Sequence, residues 1–327
     1  MKSSPFFQNV VIFIRLQLYN IHVMICPSKR TAPLGKGDKN MKKLIALTLA
    51  ALMALSLFAG CTPADNSTGG ENTYNLKTVK EGYLTVVTSP DYAPYEFYTL
   101  NEQSEHQLAG FDMALAQYIA DYLGLTLDVI PMDFKGIVGE MSTKSADLAI
   151  AGLSPDPERQ IAMDFSDIYY EGKQALITTK ANAGKITDLD SSNQAGFSIG
   201  AQTGSIQMDL AQQFSSNADI ISLAKVTDII AELVAGSLDA AYVEWDVAVA
   251  YQANYPELQI VCEAPYDAEG NVIGVSKGNE DLMKYVNEAL HKCVDEGTFT
   301  QYLLTALEQA TGEVYIYVEG EGIVPNE

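Results

Sequence analysis

Basic residues are scarce: the 327-residue chain carries 20 Lys plus Arg against 42 Asp plus Glu, a formal net charge of −22 at pH 7. Nucleic acid and anionic membrane surfaces are thereby excluded as partners, because both need a basic face that displaces counterions. Cysteine is scarce as well, and four in 327 residues cannot staple a disulfide scaffold. The three histidines, His22, His106 and His291, form no cluster with metal-ligand spacing, and no nucleophile elbow or phosphate loop occurs. Neither a metal nor any other cofactor is expected. The apolar run 44–59 is shorter than the roughly 20 residues that a spanning helix needs.

The little positive charge present is concentrated at the start. Eight cations and one anion precede Cys61, which leaves 12 cations against 41 anions from there onward. From Met41 the chain reads MKKLIALTLAALMALSLFAGC: two lysines, an apolar middle and a small-residue exit, the three parts of an export signal. Its close, Leu57-Phe58-Ala59-Gly60-Cys61, resembles a bacterial lipobox. That resemblance implies a signal peptide at 41–60 and lipidation of Cys61, hence an extracytoplasmic protein anchored to the cell membrane by a lipid. A stop-transfer anchor that is never cut is the alternative. Residues 1–40 fit no such pattern and are read as upstream translation before a true start at Met41, whereas 61–75, polar and rich in Gly, Ser and Asn, has the composition of a flexible tether.

Downstream, short β-rich runs at 84–88, 126–130 and 148–151 alternate with helical patterns at 112–123 and 137–141. Such alternation predicts an α/β fold with mostly parallel sheet. In the first helix Met113, Ala116, Ile119, Ala120 and Leu123 share a face, and Gly124 supplies a left-handed stop. The second helix and its strand, Ile137-Val138-Gly139-Glu140-Met141 to Ser145-Ala146-Asp147-Leu148-Ala149, echo a segment 92 residues later, Ile229-Ile230-Ala231-Glu232-Leu233 to Ser237-Leu238-Asp239-Ala240-Ala241. Two copies of a helix, a turn with Asp and an apolar strand suggest two similar lobes. Each copy leads into a segment of functional character, Gly152-Leu153-Ser154 or Glu244-Trp245-Asp246, and ligands of open α/β sheets gather beyond strand carboxyl ends.

Several segments carry a family likeness: Thr88-Ser89-Pro90-Asp91-Tyr92-Ala93-Pro94-Tyr95-Glu96-Phe97, Gly110-Phe111-Asp112, Ser154-Pro155-Asp156-Pro157-Glu158-Arg159, Asp164-Phe165-Ser166-Asp167, Gly200-Ala201-Gln202-Thr203-Gly204-Ser205 and Asp295-Glu296-Gly297-Thr298-Phe299. Together, over about residues 80–305, they resemble the family 3 extracellular solute-binding proteins, the polar amino acid receptors of ABC importers. The resemblance implies a two-lobed, type II periplasmic-binding-protein-like fold with two crossover hinge strands. Lobe 1 would comprise 76–172 and 266–312, lobe 2 would be 173–265, and 313–327 would be a C-terminal extension. It also implies a monomer that captures an amino acid between its lobes and delivers it to an ABC transporter permease.

A free amino acid presents a carboxylate, an ammonium and a side chain, and the resemblance distributes these among named positions. Arg159 would grip the carboxylate with its planar guanidinium, helped by Ser205, Ile206 and Gln207 where a helix begins. Glu244 stands where the family usually has Asp and would meet the ammonium. Gly152, Leu153 and Ser154 would line the lobe 1 wall, with Tyr92 and Phe134 against the ligand side chain. Without that resemblance Arg159 reads as a surface residue, Ser205 as an ordinary helix cap, and the two aromatics as core. Ser89 replaces an acid that some members use for basic side chains, and Gln202 and Gln207 offer neutral hydrogen bonds, so the expected ligand is a neutral polar or apolar amino acid.

The fold does not by itself decide function. The chain is read as a binding protein and not an enzyme, with a dehydratase-like enzyme on the same scaffold and a ligand-sensing lipoprotein as alternatives. Cys262 and Cys293 are either bonded or buried thiols, and the alternation Val314-Tyr315-Ile316-Tyr317-Val318 suggests an added strand or docking segment.

Overall fold

The computed structural model describes residues 74–101, 103–266, 270–318, 320 and 322–326. The expected leader, the lipidation site Cys61 and the tether up to residue 73 lie outside them.

The chain begins with β1 (Tyr83–Thr88), β2 (Asp91–Tyr92), β3 (Glu96–Leu100) and β4 (His106–Ala109), followed by α1 (Phe111–Leu123), β5 (Thr126–Pro131), α2 (Phe134–Ser142), β6 (Leu148–Ala149), α3 (Arg159–Ala162) and β7 (Met163–Tyr170). It then crosses into β8 (Gln174–Thr179), α4 (Leu189–Ser192), β9 (Ser198–Gln202), α5 (Ile206–Phe214), β10 (Asp219–Leu223), α6 (Val226–Ala235), β11 (Ala240–Glu244), α7 (Trp245–Asn254) and β12 (Leu258–Ala264). The return supplies β13 (Asn271–Ser276), α8 (Glu280–Asp295), α9 (Thr298–Thr311) and a hairpin of β14 (Tyr315–Val318) and β15 (Gly322–Pro325).

Two five-stranded sheets result, ordered β5-β1-β6-β13-β7 and β10-β9-β11-β8-β12. The two orders are equivalent position by position. In each, the second strand pairs in parallel with the first and third, and the fourth runs antiparallel to both of its neighbours. Two α/β lobes of this topology are the type II arrangement that the resemblance implies. Helices cover the sheets, so central strands such as β1 and β13 are buried along nearly their whole length.

The repeat seen in the sequence has a structural counterpart. Its strands, β6 and β11, occupy the third place in their sheets. Asp147 accepts the Thr85 N–H at 2.9 Å while its own N–H bonds the Thr85 carbonyl. Asp239 repeats both bonds with Ser198, its carboxylate accepting that N–H at 2.9 Å. Each Asp thus ties the start of one strand to the start of the next.

Helix α1 buries Leu115, Ala116, Ile119, Ala120 and Leu123 and stops at Gly124 with φ 69°, as its pattern predicts. Its first turn is set by Gly110 at φ 109°, where a Cβ would stand 2.0 Å from the Tyr95 carbonyl oxygen. Only glycine allows that approach, and it brings Asp112 against the Tyr95–Glu96 turn. The predicted strand 148–151 is shorter, ending at Ala149, because the chain then turns at Gly152 with φ 55° toward the cleft. His106 opens β4. Cys262 and Cys293 are free thiols in different lobes. The extension forms the β14–β15 hairpin packed on α9. No helix among the described residues is long and apolar enough to cross a membrane.

Candidate functional site

A small pocket of about 10 Å³ lies between the lobes, lined by Ser89, Asp91, Tyr92, Glu96, Phe134, Ala151, Gly152, Ser154, Arg159, Gln202, Ile206 and Gln207. The carboxyl ends of β1 and β6 and the start of α3 form one wall, and the end of β9 with the start of α5 forms the other. Nine of the residues expected from the sequence meet here: Ser89, Tyr92, Phe134, Gly152, Ser154, Arg159, Gln202, Ile206 and Gln207.

Arg159 sits at the first residue of α3, 7 % exposed. Its Nη1 donates to the Ser154 carbonyl at 3.0 Å and its Nη2 reaches across to the Gly204 carbonyl at 3.2 Å. The guanidinium lies 5.3 Å from the Phe134 ring centre. Among the described residues no carboxylate forms an ion pair with it, and burial lowers its pKa. A buried cation held only by carbonyl dipoles is poised for an anion.

Opposite the α3 wall, Gln207 donates to the Tyr92 hydroxyl at 3.0 Å and to Gln174 Oε1 at 2.8 Å. Asp91 accepts the Val226 N–H at 2.5 Å, where α6 begins, and the Ser89 hydroxyl at 3.0 Å. The Gln207–Tyr92 and Val226–Asp91 bonds cross the cleft, so the lobes stand closed on each other.

Three expected residues do not line the cavity. Leu153 turns its side chain into the lobe 1 core with Val87, Ile137 and Met163. Ser205 caps α5: its hydroxyl donates to the Gln202 carbonyl at 2.8 Å and its oxygen accepts the Met208 N–H at 3.4 Å. Glu244 caps α7, accepting the N–H groups of Asp246 at 2.7 Å, Val247 at 3.1 Å and Lys173 at 3.2 Å. Burial, then the Asp246 charge, push its carboxyl well above the usual range. Its Oε2 is thereby turned onto the start of its own helix, and its Oε1 accepts the Lys173 N–H.

Two acids that sequence reasoning passed over do line it, Asp91 and Glu96. Glu96 is fully buried, and among the described residues neither of its carboxylate oxygens has a hydrogen-bond partner. Its place follows from the β2–β3 hairpin, whose register sets Glu96 opposite Tyr92. Burial foremost, then the nearby Asp112 and Asp91 charges, raise its pKa well above the carboxylate range. The available signal was an acid between two buried aromatics, Tyr95 and Phe97, in an alternating strand. Among the described residues no group of three or more His, Cys, Asp or Glu could hold a metal ion.

Residues 84–306 match the family model of the bacterial extracellular solute-binding proteins, family 3. The chain belongs to this family. Its relatives in the family include the arginine-binding extracellular protein ArtP of Bacillus subtilis (strain 168), 29 % identical over 262 residues, which cover 79 % of this chain and 94 % of that protein. An amino acid ABC transporter substrate-binding protein from Streptococcus pneumoniae Canada MDR_19A, solved with L-arginine bound, superposes with a TM-score of 0.66 at 36 % identity, covering 69 % of this chain and 94 % of that one. A cyclohexadienyl dehydratase of Pseudomonas aeruginosa is also similar, at 26 % identity over 233 residues, 71 % of this chain and 85 % of that protein. The scaffold of this solute-binding family is therefore shared by receptors and by an enzyme.

Proposed function

We propose that this family 3 protein is an extracytoplasmic receptor that captures a free amino acid with a cationic side chain and delivers it to an ABC import permease. The observation that carries the reading is the presence, in one pocket, of a buried guanidinium that forms no ion pair among the described residues, Arg159, and a buried carboxyl without a donor, Glu96. Burying either charge unpaired is costly, and a ligand with an anionic head and a cationic tail satisfies both.

In this reading the ligand carboxylate lies against Arg159, assisted by the Ser154 hydroxyl and the first N–H groups of α5 at Ile206 and Gln207, which have no partner within their helix. The Gly152 carbonyl accepts Asn271 Nδ2 at 2.8 Å and keeps a second lone pair for the ammonium. The side chain runs between Tyr92 and Phe134 to Glu96. The neutral ligand expected from Ser89 is the competing side-chain reading; in the cationic reading Glu96, at the start of β3, takes the place of the acid absent at Ser89. The arginine-binding relative and the arginine-bound structure support this choice. Anchoring through a lipid on Cys61 and a monomeric state complete the proposal.

The test is a thermal-shift series with Arg, Lys, ornithine, citrulline, Gln, His, cystine and the remaining amino acids. A ligand at about 100 times its dissociation constant adds roughly 2.7 kcal/mol of stability. Stabilisation by the cationic members is expected. A response confined to neutral amino acids overturns the side-chain assignment, and silence across the set overturns the receptor reading. The dehydratase relative favours a second reading, a carbon–oxygen lyase using the protonated Glu96 as its acid, and the appearance of a new product on incubation with cyclohexadienyl acids would establish it.

A further inference from the structure

The titratable groups that act on Glu96 are acids and phenols. Asp112 at the start of α1, Asp91 and Tyr92 of β2, and Tyr169 of β7 surround it, and among the described residues no Lys, Arg or His does. Arg159, the cation of the same pocket, has Asp156, Tyr266, Asp209 and Tyr92 as its charged or phenolic neighbours. Asp112 is the satisfied member of the pair. It accepts the Gly152 N–H at 2.8 Å and the Tyr169 hydroxyl at 2.9 and 3.1 Å. Those donors make Asp112 the better placed of the two to carry the charge, and two facing carboxyls can be joined only if one of them holds a proton. The one without donors is Glu96.

We propose that the Glu96–Asp112 pair couples loading of a cationic amino acid to release of one proton, so that pH sets the choice between a cationic ligand and its neutral isostere. This rests on the receptor reading above and assigns its regulation. Without a cationic ligand Glu96 is a neutral acid that donates its proton to Asp112. When a guanidinium or ammonium enters, the Glu96 O–H bond breaks, the proton leaves to the buffer, and the carboxylate takes the ligand's N–H groups. The charge of the site is the same before and after, apart from the proton expelled. A neutral ureido side chain needs no such exchange, because it can accept the Glu96 proton as a hydrogen bond. Cationic ligands therefore lose affinity as pH falls, by about tenfold per unit below the Glu96 pKa, while neutral ones keep theirs.

The experiment is calorimetric titration of the full-length protein with L-arginine and with L-citrulline, in phosphate and in Tris, at several values between about pH 5.5 and 8. Two buffers of different ionisation enthalpy count the protons. About one released per arginine and none per citrulline is expected. In Glu96→Gln the arginine release vanishes and citrulline becomes the preferred ligand. Arginine binding with no proton exchange anywhere in that range overturns the coupling and leaves the receptor reading intact. Failure of arginine, lysine and ornithine to bind at any pH overturns both.

Discussion

The Tyr92 hydroxyl accepts a hydrogen bond from Gln207 Nε2 at 3.0 Å, joining lobe 1 to lobe 2 directly across the cleft. Protein contacts of this kind exist only in the closed state, and they bias closure in addition to whatever the ligand contributes. Gln207→Ala is expected to weaken ligand binding by about 1 kcal/mol, roughly fivefold, chiefly through faster dissociation. Stopped-flow release kinetics check it, and an unchanged dissociation rate contradicts the bridge's role.

Gly172 lies in the first crossover, where a Cβ would stand 2.9 Å from both Glu244 Oε1 and the Tyr95 hydroxyl and 3.2 Å from Asn271 Oδ1. Gly172→Ala therefore pushes three polar groups apart at the hinge. The variant is expected to fold but to close less completely, with weaker binding and a larger radius of gyration by solution scattering in saturating ligand. A variant as compact and as tight as the parent removes the hinge argument.

Arg159→Ala removes the cation proposed to hold the ligand carboxylate, and a loss of at least about 2 kcal/mol, roughly thirtyfold, in affinity is expected. The ligand-free fold should survive, because no carboxylate among the described residues forms an ion pair with Arg159. Circular dichroism and thermal midpoint test the fold, calorimetry the affinity. Binding retained at parental strength displaces Arg159 from the site.

The buried carboxyls give the ligand-free protein a pH profile of definite sign. Glu96 is raised well above its usual value, and Asp112 is pushed up to about 6, mainly by burial. A group raised on folding contributes stability fully present below its unfolded pKa, about 4 for these acids, and lost as pH rises through the folded value. The thermal midpoint is expected to fall between about pH 5 and 7.5. Glu96→Gln, neutral throughout, should flatten that slope. A midpoint that climbs over this range contradicts the assignment.

Asp147 and Asp239 should be equally sensitive. Replacing either with Ala strips an acceptor from a strand-start N–H, Thr85 or Ser198, at a cost of about 1–3 kcal/mol, measurable by urea denaturation. A loss in one lobe only would break the equivalence of the two copies.

Much of this was legible along the chain. The α/β alternation, the buried face of α1 with its stop at Gly124, and the repeat around Asp147 and Asp239 are local patterns, and periodicity or turn chemistry reports them directly. The motif resemblance likewise assembled nine of the twelve residues lining the cavity. The three expected residues outside that lining share one feature. Leu153, Ser205 and Glu244 sit in the right segments, yet which way a side chain turns depends on partners that the segment does not contain.

The sequence by itself determined the lobed topology, the acidic surface and the neighbourhood of the site, because these follow from residue type and spacing. Only the tertiary structure decided the chemistry inside the cleft. Glu244 spends its oxygens on the N-terminus of α7, Asp112 gains Gly152 and Tyr169 as donors, and Glu96 is left facing acids without a donor of its own. Whether an acid is a cap, an anion or a proton carrier depends on the donors and burial that distant segments bring to it, and those exist only once the chain has folded.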